Sequence, residues 1–334
     1  MSDTYRIIGS DLSPYSVKVR SYFRYKEIPH EWLQRGRHQE EFKKYARLPL
    51  VPLVVTPDLE AMQDSTPIIE AMEKRVPEPA LDPQNEAMRF LSALIEEYSD
   101  EWGNKHMFHY RWAYEPDQIS TAQRIARGMA PEDAPSEQVE QIAAQVRERM
   151  VPRRSFVGSS DETKDQIESS LARLLQILEK HLENRTYVLG ERPSLADLGL
   201  WCQLYECSTD PTVGAILNDF SRTLVWIEAM KYPQNRGDFE SWNDLSPTLE
   251  RLLSDEIAGI FLPWSMANAH ALEAGEESFT VELEGRPFTQ GTQKYHARSL
   301  AAIRAKYAVI QDRSALDPIL ERTGCLDALA ASAA

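Results

Sequence analysis

The apolar pattern of this chain changes character once, between residues 76 and 83. Before that point, short β-prone runs alternate with helical stretches. After it, most apolar residues recur at helical spacing. Tyr5-Arg6-Ile7-Ile8-Gly9 reads as a strand. Val17, Val19, Tyr22 and Phe23 among Lys18, Arg20 and Arg24 then read as a helix. Glu31-Trp32-Leu33 is a second strand, and Glu40 to Arg47 a short helix. Leu50-Val51-Pro52-Leu53-Val54-Val55 is a β-prone run interrupted by proline, which cannot donate to a ladder. Thr56-Pro57-Asp58 is a turn, Leu59 to Met62 a return strand, and Asp64 or Ser65 caps a helix to about Lys74. This order predicts an α/β unit over residues 1–80 built on a small sheet.

Pro77, Pro79 and Pro83 mark a linker. Beyond it an all-helical region is expected over 84–245. It comprises a long helix from Asn85 to about Trp112 and an insertion at about 116–160 with two exposed helices. Amphipathic or buried helices follow at Thr163–Asn184, Leu195–Leu204 and Arg222–Met230. Residues 246–334 read as an extension packed on the helical region, with a small hairpin where Phe279, Val281 and Leu283 alternate with polar residues before Glu284-Gly285.

At 334 residues the chain can bury a core without disulfides. Its net charge of −15 opposes phosphate backbones, so no nucleic-acid partner is expected. No run approaches the roughly 18–20 apolar residues of a membrane helix, so no membrane partner is expected either. MSDTYRIIGSD carries no secretory pattern. Cys202, Cys207 and Cys325 are odd in number and show no CxxC spacing, as in reduced, cytoplasmic proteins.

Three segments could carry chemistry. In Leu12-Ser13-Pro14-Tyr15-Ser16, Pro14 suits a helix start and Ser13 its N-cap, where free backbone donors favour an anion such as a thiolate. A plain helix cap explains the same residues. Val51-Pro52 fits either an edge strand with a trans proline or a cis bond that offers the backbone of Val51 to a peptide ligand. Asp64 and Ser65 open a helix. Free N–H groups there suit a carboxylate and Asp64 suits an ammonium, although a capping box again accounts for the pattern.

In this order, and followed by a helical remainder, these segments resemble the glutathione transferase superfamily. Ser13-Pro14-Tyr15-Ser16 is similar to the Ser-Pro-Phe stretch of its tau, omega and bacterial etherase-like classes. Val51-Pro52-Leu53 resembles the family's cis-proline segment, and Asp64-Ser65-Thr66-Pro67-Ile68-Ile69 its γ-glutamyl-binding segment. Downstream, Ser194-Leu195-Ala196-Asp197 resembles the family's buried capping box, a structural feature. Trp226 and Met230 resemble its closing helix. The resemblance implies an N-terminal thioredoxin-like domain, a helical domain, and glutathione as co-substrate with no metal. Ser13 would donate to the glutathione sulfur, Val51 and Pro52 would hold the cysteinyl unit, and Asp64 and Ser65 the γ-glutamyl end. Gly9 stands where some classes carry a tyrosine, and Leu50 where many carry a lysine for the glycyl carboxylate. Arg35, Arg37, Lys44 and Arg47 are the substitutes to consider.

The implied function is activation of the glutathione thiolate for attack on an electrophilic, aromatic or hydrophobic small molecule, in detoxification or aromatic catabolism. The alternative is a non-catalytic binding or scaffold protein of the same fold. A thioredoxin-type redox role is disfavoured, because no cysteine precedes residue 202. A homodimer is implied at family level. A second-substrate pocket is expected from Tyr15 with Trp102, His106 and His109, which share one helix face. An aromatic-rich helix packed against its neighbours is the competing reading. A metal site at the two histidines would need further ligands.

Overall fold

A computed structural model describes residues 4–331. Its N-terminal sheet has the order β2-β1-β3-β4, formed by β1 (Tyr5–Gly9), β2 (His30–Gln34), β3 (Leu53–Val55) and β4 (Ala61–Gln63). β1 runs parallel to β2 and antiparallel to β3, and β3 runs antiparallel to β4. Both faces are covered, which explains why β1 reads as a continuous apolar run. Ile7 and Val54 join α1 (Pro14–Tyr25) and α3 (Ser65–Arg75) in the main core. Ile8, Leu33, Leu53 and Val55 form a separate cluster with Phe42 of α2 (Gln39–Tyr45). The β-prone run at 50–55 pairs only from Leu53, because Pro52 has no N–H to give to a ladder; the Val51-Pro52 bond is cis.

The helix expected from Asn85 to Trp112 is continuous in path but not in type. α4 (Glu86–Tyr98) passes through a π-helical turn at Ser99–Gly103 into α5 (Asn104–Ala113). A π turn adds one residue per turn and rotates the following side chains. α6 (Glu115–Met129) and α7 (Ser136–Met150) form the expected insertion, closed by a 3-10 segment at Val151–Val157. This insertion reaches the β/α unit. Arg37 pairs with Glu132, and a Cβ on Gly36 would lie 2.3 Å from the Gly128 carbonyl oxygen, so only glycine fits.

α8 (Lys164–His181) and α9 (Leu195–Ser208) fill the centre of the helical region. Ser194 caps α9 by accepting from the Asp197 N–H, and Asp197 accepts in return from the Ser194 N–H at 3.0 Å. The other Asp197 oxygen takes the N–H of Val188 and the indole of Trp226. The Ala196 N–H, next in the first turn, goes to Ser92 Oγ of α4 at 3.1 Å. Short helices α10 (Pro211–Leu217) and α11 (Ser221–Ala229) follow.

α12 (Trp242–Arg251) runs through the expected boundary at 245/246. A second π-helical segment, Leu252–Phe261, leads into α13 (Leu262–Glu273). The hairpin forms from β5 (Ser278–Leu283) and β6 (Arg286–Gly291), with Glu284 and Gly285 both at positive φ, as a two-residue turn demands. α14 (Lys294–Ala308), α15 (Asp317–Thr323) and α16 (Leu326–Ala330) end the described chain. The hairpin is anchored by Lys105. Its ammonium donates to the Val157 carbonyl and to Gln290 Oε1 at 2.8 and 2.7 Å, and lies 4.0 Å from the Trp264 ring centroid. No described helix is long and apolar enough to cross a membrane.

Candidate active site

Strand register brings three of the marked segments to one end of the sheet. Ile8 pairs with Leu53 and Leu53 with Gln63. The turn after β1, the loop before β3 and the helix start after β4 therefore share an edge. Ser13, Val51-Pro52 and Asp64-Ser65 occupy these three positions.

Ser13 is the N-cap of α1, with extended backbone. Its Oγ accepts from the Ser16 N–H at a long 3.4 Å, and Pro14 takes the first helical position. The hydroxyl proton has no protein acceptor among the described residues. Val51 follows a loop pinned by one side chain. Gln63 accepts from the N–H groups of Arg47 and Leu48 and donates to the carbonyls of Leu48 and Leu50, at 2.7–3.0 Å. The N–H and C=O of Val51 lie outside the ladder. Asp64 holds φ 76°, a left-handed value uncommon for a residue other than glycine. Its carboxylate makes no cap bond to α3 and faces outward, and burial pushes its pKa up from the usual carboxylate range. Strained backbone of this kind is characteristic of functional positions.

Beneath this edge lies a charge cluster that sequence reasoning missed. Buried Lys18 pairs with Glu96 and, at 2.7 Å, with Asp100, while Thr66 donates to Glu96. Burial opposes the charge on Lys18, but Asp100 and Glu96 hold its pKa above the ordinary value. Burial pushes the Asp100 carboxyl up to about 8. The cluster ties α1 and α3 to α4. Its only signal in the sequence is the acidic run Glu96-Glu97-Tyr98-Ser99-Asp100-Glu101 within an otherwise apolar helix. Arg111, held by Glu206 and Asp210, also donates to the Leu12 carbonyl at 3.1 Å, next to Ser13.

The expected second-substrate residues do not come together there. Trp102, His106 and His109 are buried inside the helical region, because α5 is enclosed by α6, α8, α9 and the 3-10 segment. Trp102 Nε1 and His106 Nε2 both meet Ser170 Oγ at 2.9 Å, and Ser170 donates to Glu256. His109 lies between Ser159 and Glu168. These side chains face a satisfied core rather than a cleft. Tyr15 alone sits at the boundary of the two regions. Its hydroxyl donates to the Asp100 carbonyl and accepts from Asn104. No group of three or more metal-ligating side chains occurs among the described residues.

The cations considered for a glycyl carboxylate separate clearly. Arg37 is paired with Glu132, Lys44 stacks on Tyr45, and Arg47 is exposed. Arg35 follows β2 beside the active edge. Its N–H bonds the Gly9 carbonyl, its guanidinium donates to the Pro49 carbonyl at 2.9 Å, and no carboxylate pairs with it among the described residues. Leu50 is 61% exposed.

A thioredoxin-like sheet abutting an all-helical domain with a buried capping box defines the class of fold. The model of the glutathione S-transferase N-terminal domain matches residues 7–80, and that of the C-terminal domain residues 140–229. The chain belongs to the glutathione S-transferase superfamily. Among solved structures, it is similar to the β-etherase LigF of Sphingobium sp. strain SYK-6, with 19% identity over 68% of this chain and 94% of that one and a TM-score of 0.49. A glutathione S-transferase of Rhodospirillum rubrum F11 shares 19% identity over 75% and 92% of the two chains, with a TM-score of 0.45. FzlA of C. crescentus shares 18% over 69% and 90%, with a TM-score of 0.40. No curated protein sequence matches the chain.

Proposed function

We propose that this protein is a glutathione transferase that activates the glutathione thiol at Ser13 for attack on an electrophilic, hydrophobic or aromatic small molecule. The observation that carries the reading is the convergence of Ser13, Val51 and Asp64-Ser65 at one sheet edge. Ser13 offers a hydroxyl proton at a helix N-terminus, the place where a thiolate is favoured. A hydrogen bond to a charged sulfur is worth roughly 1.5–3 kcal/mol, which lowers a thiol pKa of about 8.5 by one to two units. That raises the thiolate near neutrality from a few per cent to roughly a quarter to three quarters. The unladdered backbone of Val51 suits the cysteinyl unit. Asp64 suits the γ-glutamyl ammonium, and the α3 N-terminus at Ser65 its carboxylate. Arg35, a cation without a counter-ion beside the same edge, takes the glycyl carboxylate in place of the missing lysine.

The alternative is a binding or scaffold protein of the same fold, favoured by the exposed Leu50 at the rim of the site. Calorimetric titration with reduced glutathione separates the two. Micromolar to low-millimolar binding, together with conjugation of a test electrophile such as an activated aryl halide, supports the enzyme. Absence of both selects the scaffold.

A further inference from the structure

The helix α14 belongs to the part of the chain furthest from the active edge in sequence, yet it lies against that edge. Its second residue, Tyr295, points its hydroxyl at both carboxylate oxygens of Asp64, at 3.5 and 3.4 Å. The helix does not need this contact to dock. The Asn268 side-chain amide makes two bonds to the backbone of Gln293, just before the helix. His296 bonds Glu101 and meets the Trp264 ring edge-to-face, Ser299 bonds Glu97, and Lys306 pairs with Glu70 at 2.8 Å. Leu300, Ile303 and Tyr307 bury its apolar face. Tyr295 itself is 52% exposed. Half-exposed tyrosine contributes little to packing, so its placement over a strained, outward-facing aspartate has no structural purpose that the other anchors leave unfilled.

We propose that Tyr295 is a specificity-determining residue of the γ-glutamyl end of the site, so that the C-terminal arm completes a subsite otherwise built from the first eighty residues. This deepens the glutathione reading and rests on it. The phenol faces the Asp64 carboxylate at a long separation, and its own oxygen lone pairs remain free for the incoming ammonium. A carboxylate has about four acceptor positions, so Tyr295 and an ammonium can be held together. The ligand class that fits is a γ-glutamyl thiol with an unblocked α-amino group.

The test is calorimetric titration of the full chain with glutathione and with N-acetylglutathione, comparing wild type, Tyr295→Phe and Asp64→Asn, with melting temperatures measured alongside. The expected result is a threefold to tenfold weaker affinity for glutathione in Tyr295→Phe at an unchanged melting temperature. A smaller than additive loss is expected when it is combined with Asp64→Asn, because the two residues act on one ammonium. N-acetylation should remove most of the wild-type affinity. Tyr295→Phe binding glutathione as tightly as wild type, while Asp64→Asn weakens it, overturns this role and leaves the glutathione reading intact. Tighter binding by Tyr295→Phe also overturns it, since the contact would then compete with the ligand. No binding of glutathione by the wild-type chain overturns both.

Discussion

Two polar assemblies in this molecule have similar chemistry and opposite surroundings. Around Ser170, the side chains of Tyr98, Trp102, His106, Arg173 and Glu256 are bonded to one another within the helical core. Around Ser13, the hydroxyl, the backbone of Val51, the Asp64 carboxylate and the Arg35 guanidinium stand at an open edge with much of their bonding capacity unused. Both contain a serine, a carboxylate and a cation. The first spends its polarity on the fold, because a buried group left unpaired costs free energy. In the proposed function the second keeps its polarity for a ligand. Substitutions in the first should therefore alter stability, and substitutions in the second should alter binding or turnover.

The largest expected effect belongs to the core. Glu256→Ala removes the acceptor shared by Tyr98, Ser170 and Arg173 and leaves the half-buried guanidinium with Glu284 as its remaining carboxylate. Each of the two buried hydroxyls left without its acceptor costs about 1–3 kcal/mol. Chemical denaturation should show that loss, with glutathione affinity of the remaining folded protein unchanged. An unaltered midpoint would erase the distinction between the two assemblies.

Next in size is Ser13→Ala. Turnover with an electrophile should fall about 10- to 100-fold, the equivalent of one charge-assisted hydrogen bond. Glutathione affinity should change little, and stability by about 0.5 kcal/mol, the lower end for a cap whose bond is already long. Turnover equal to wild type would move the catalytic group away from Ser13.

The third prediction uses pH. Burial, then the neighbouring His109, Lys105 and Arg173, lower the pKa of His106 to about 3 from 6.5. The folded state keeps His106 neutral while the unfolded chain protonates it. Its contribution is present above pH 6.5 and is lost as pH falls from 6.5 toward 3, by about 1.4 kcal/mol per pH unit. The buried Asp82 and Asp197, both raised to about 6, act in the opposite sense. They hold protons that the unfolded chain releases, so their contribution is lost as pH rises from about 4 to 6. The His106 term is isolated by comparing slopes. Between pH 6 and 4, the unfolding free energy of wild type should fall relative to that of His106→Gln by about 1.4 kcal/mol per unit. Parallel slopes would mean that His106 is solvated, and hence not part of a closed core.

Legibility in the sequence followed the range of the interactions. Strand β1, helix α1, the proline-interrupted β3 and the Ser194–Asp197 cap are local patterns, and each could be read from a few neighbouring residues. The face of α5 could not. Trp102, His106 and His109 share a stripe whether it lines a cleft or a core, and only the packing of α6, α8 and α9 decides between them. Lys18 was hidden for a similar reason, since a lysine between two valines reads as solvent-exposed until Glu96 and Asp100, some eighty residues away, are brought against it. Tyr295 reaches Asp64 across 231 positions, a contact for which no local pattern exists.

Gln63→Ala should have the smallest effect and sharpens the comparison most. Gln63 closes β4, and its side-chain amide makes four bonds to the exposed loop 47–50. Exposed bonds of this kind contribute little to global stability, because water replaces them when they break. Loss of the side chain should therefore change the unfolding free energy by less than about 1 kcal/mol. The loop, however, carries the chain into Val51, whose backbone is the one proposed to meet the ligand. Freeing it shifts the ordering of at least one residue, roughly 1–2 kcal/mol, from folding to binding. Glutathione affinity should then drop about tenfold while the melting temperature stays near that of wild type. If affinity and stability fall together, Gln63 is an extension of the core. If neither moves, the loop is held by its own backbone, and preorganisation of the edge lies with Arg35, which bonds the Pro49 carbonyl in the same loop.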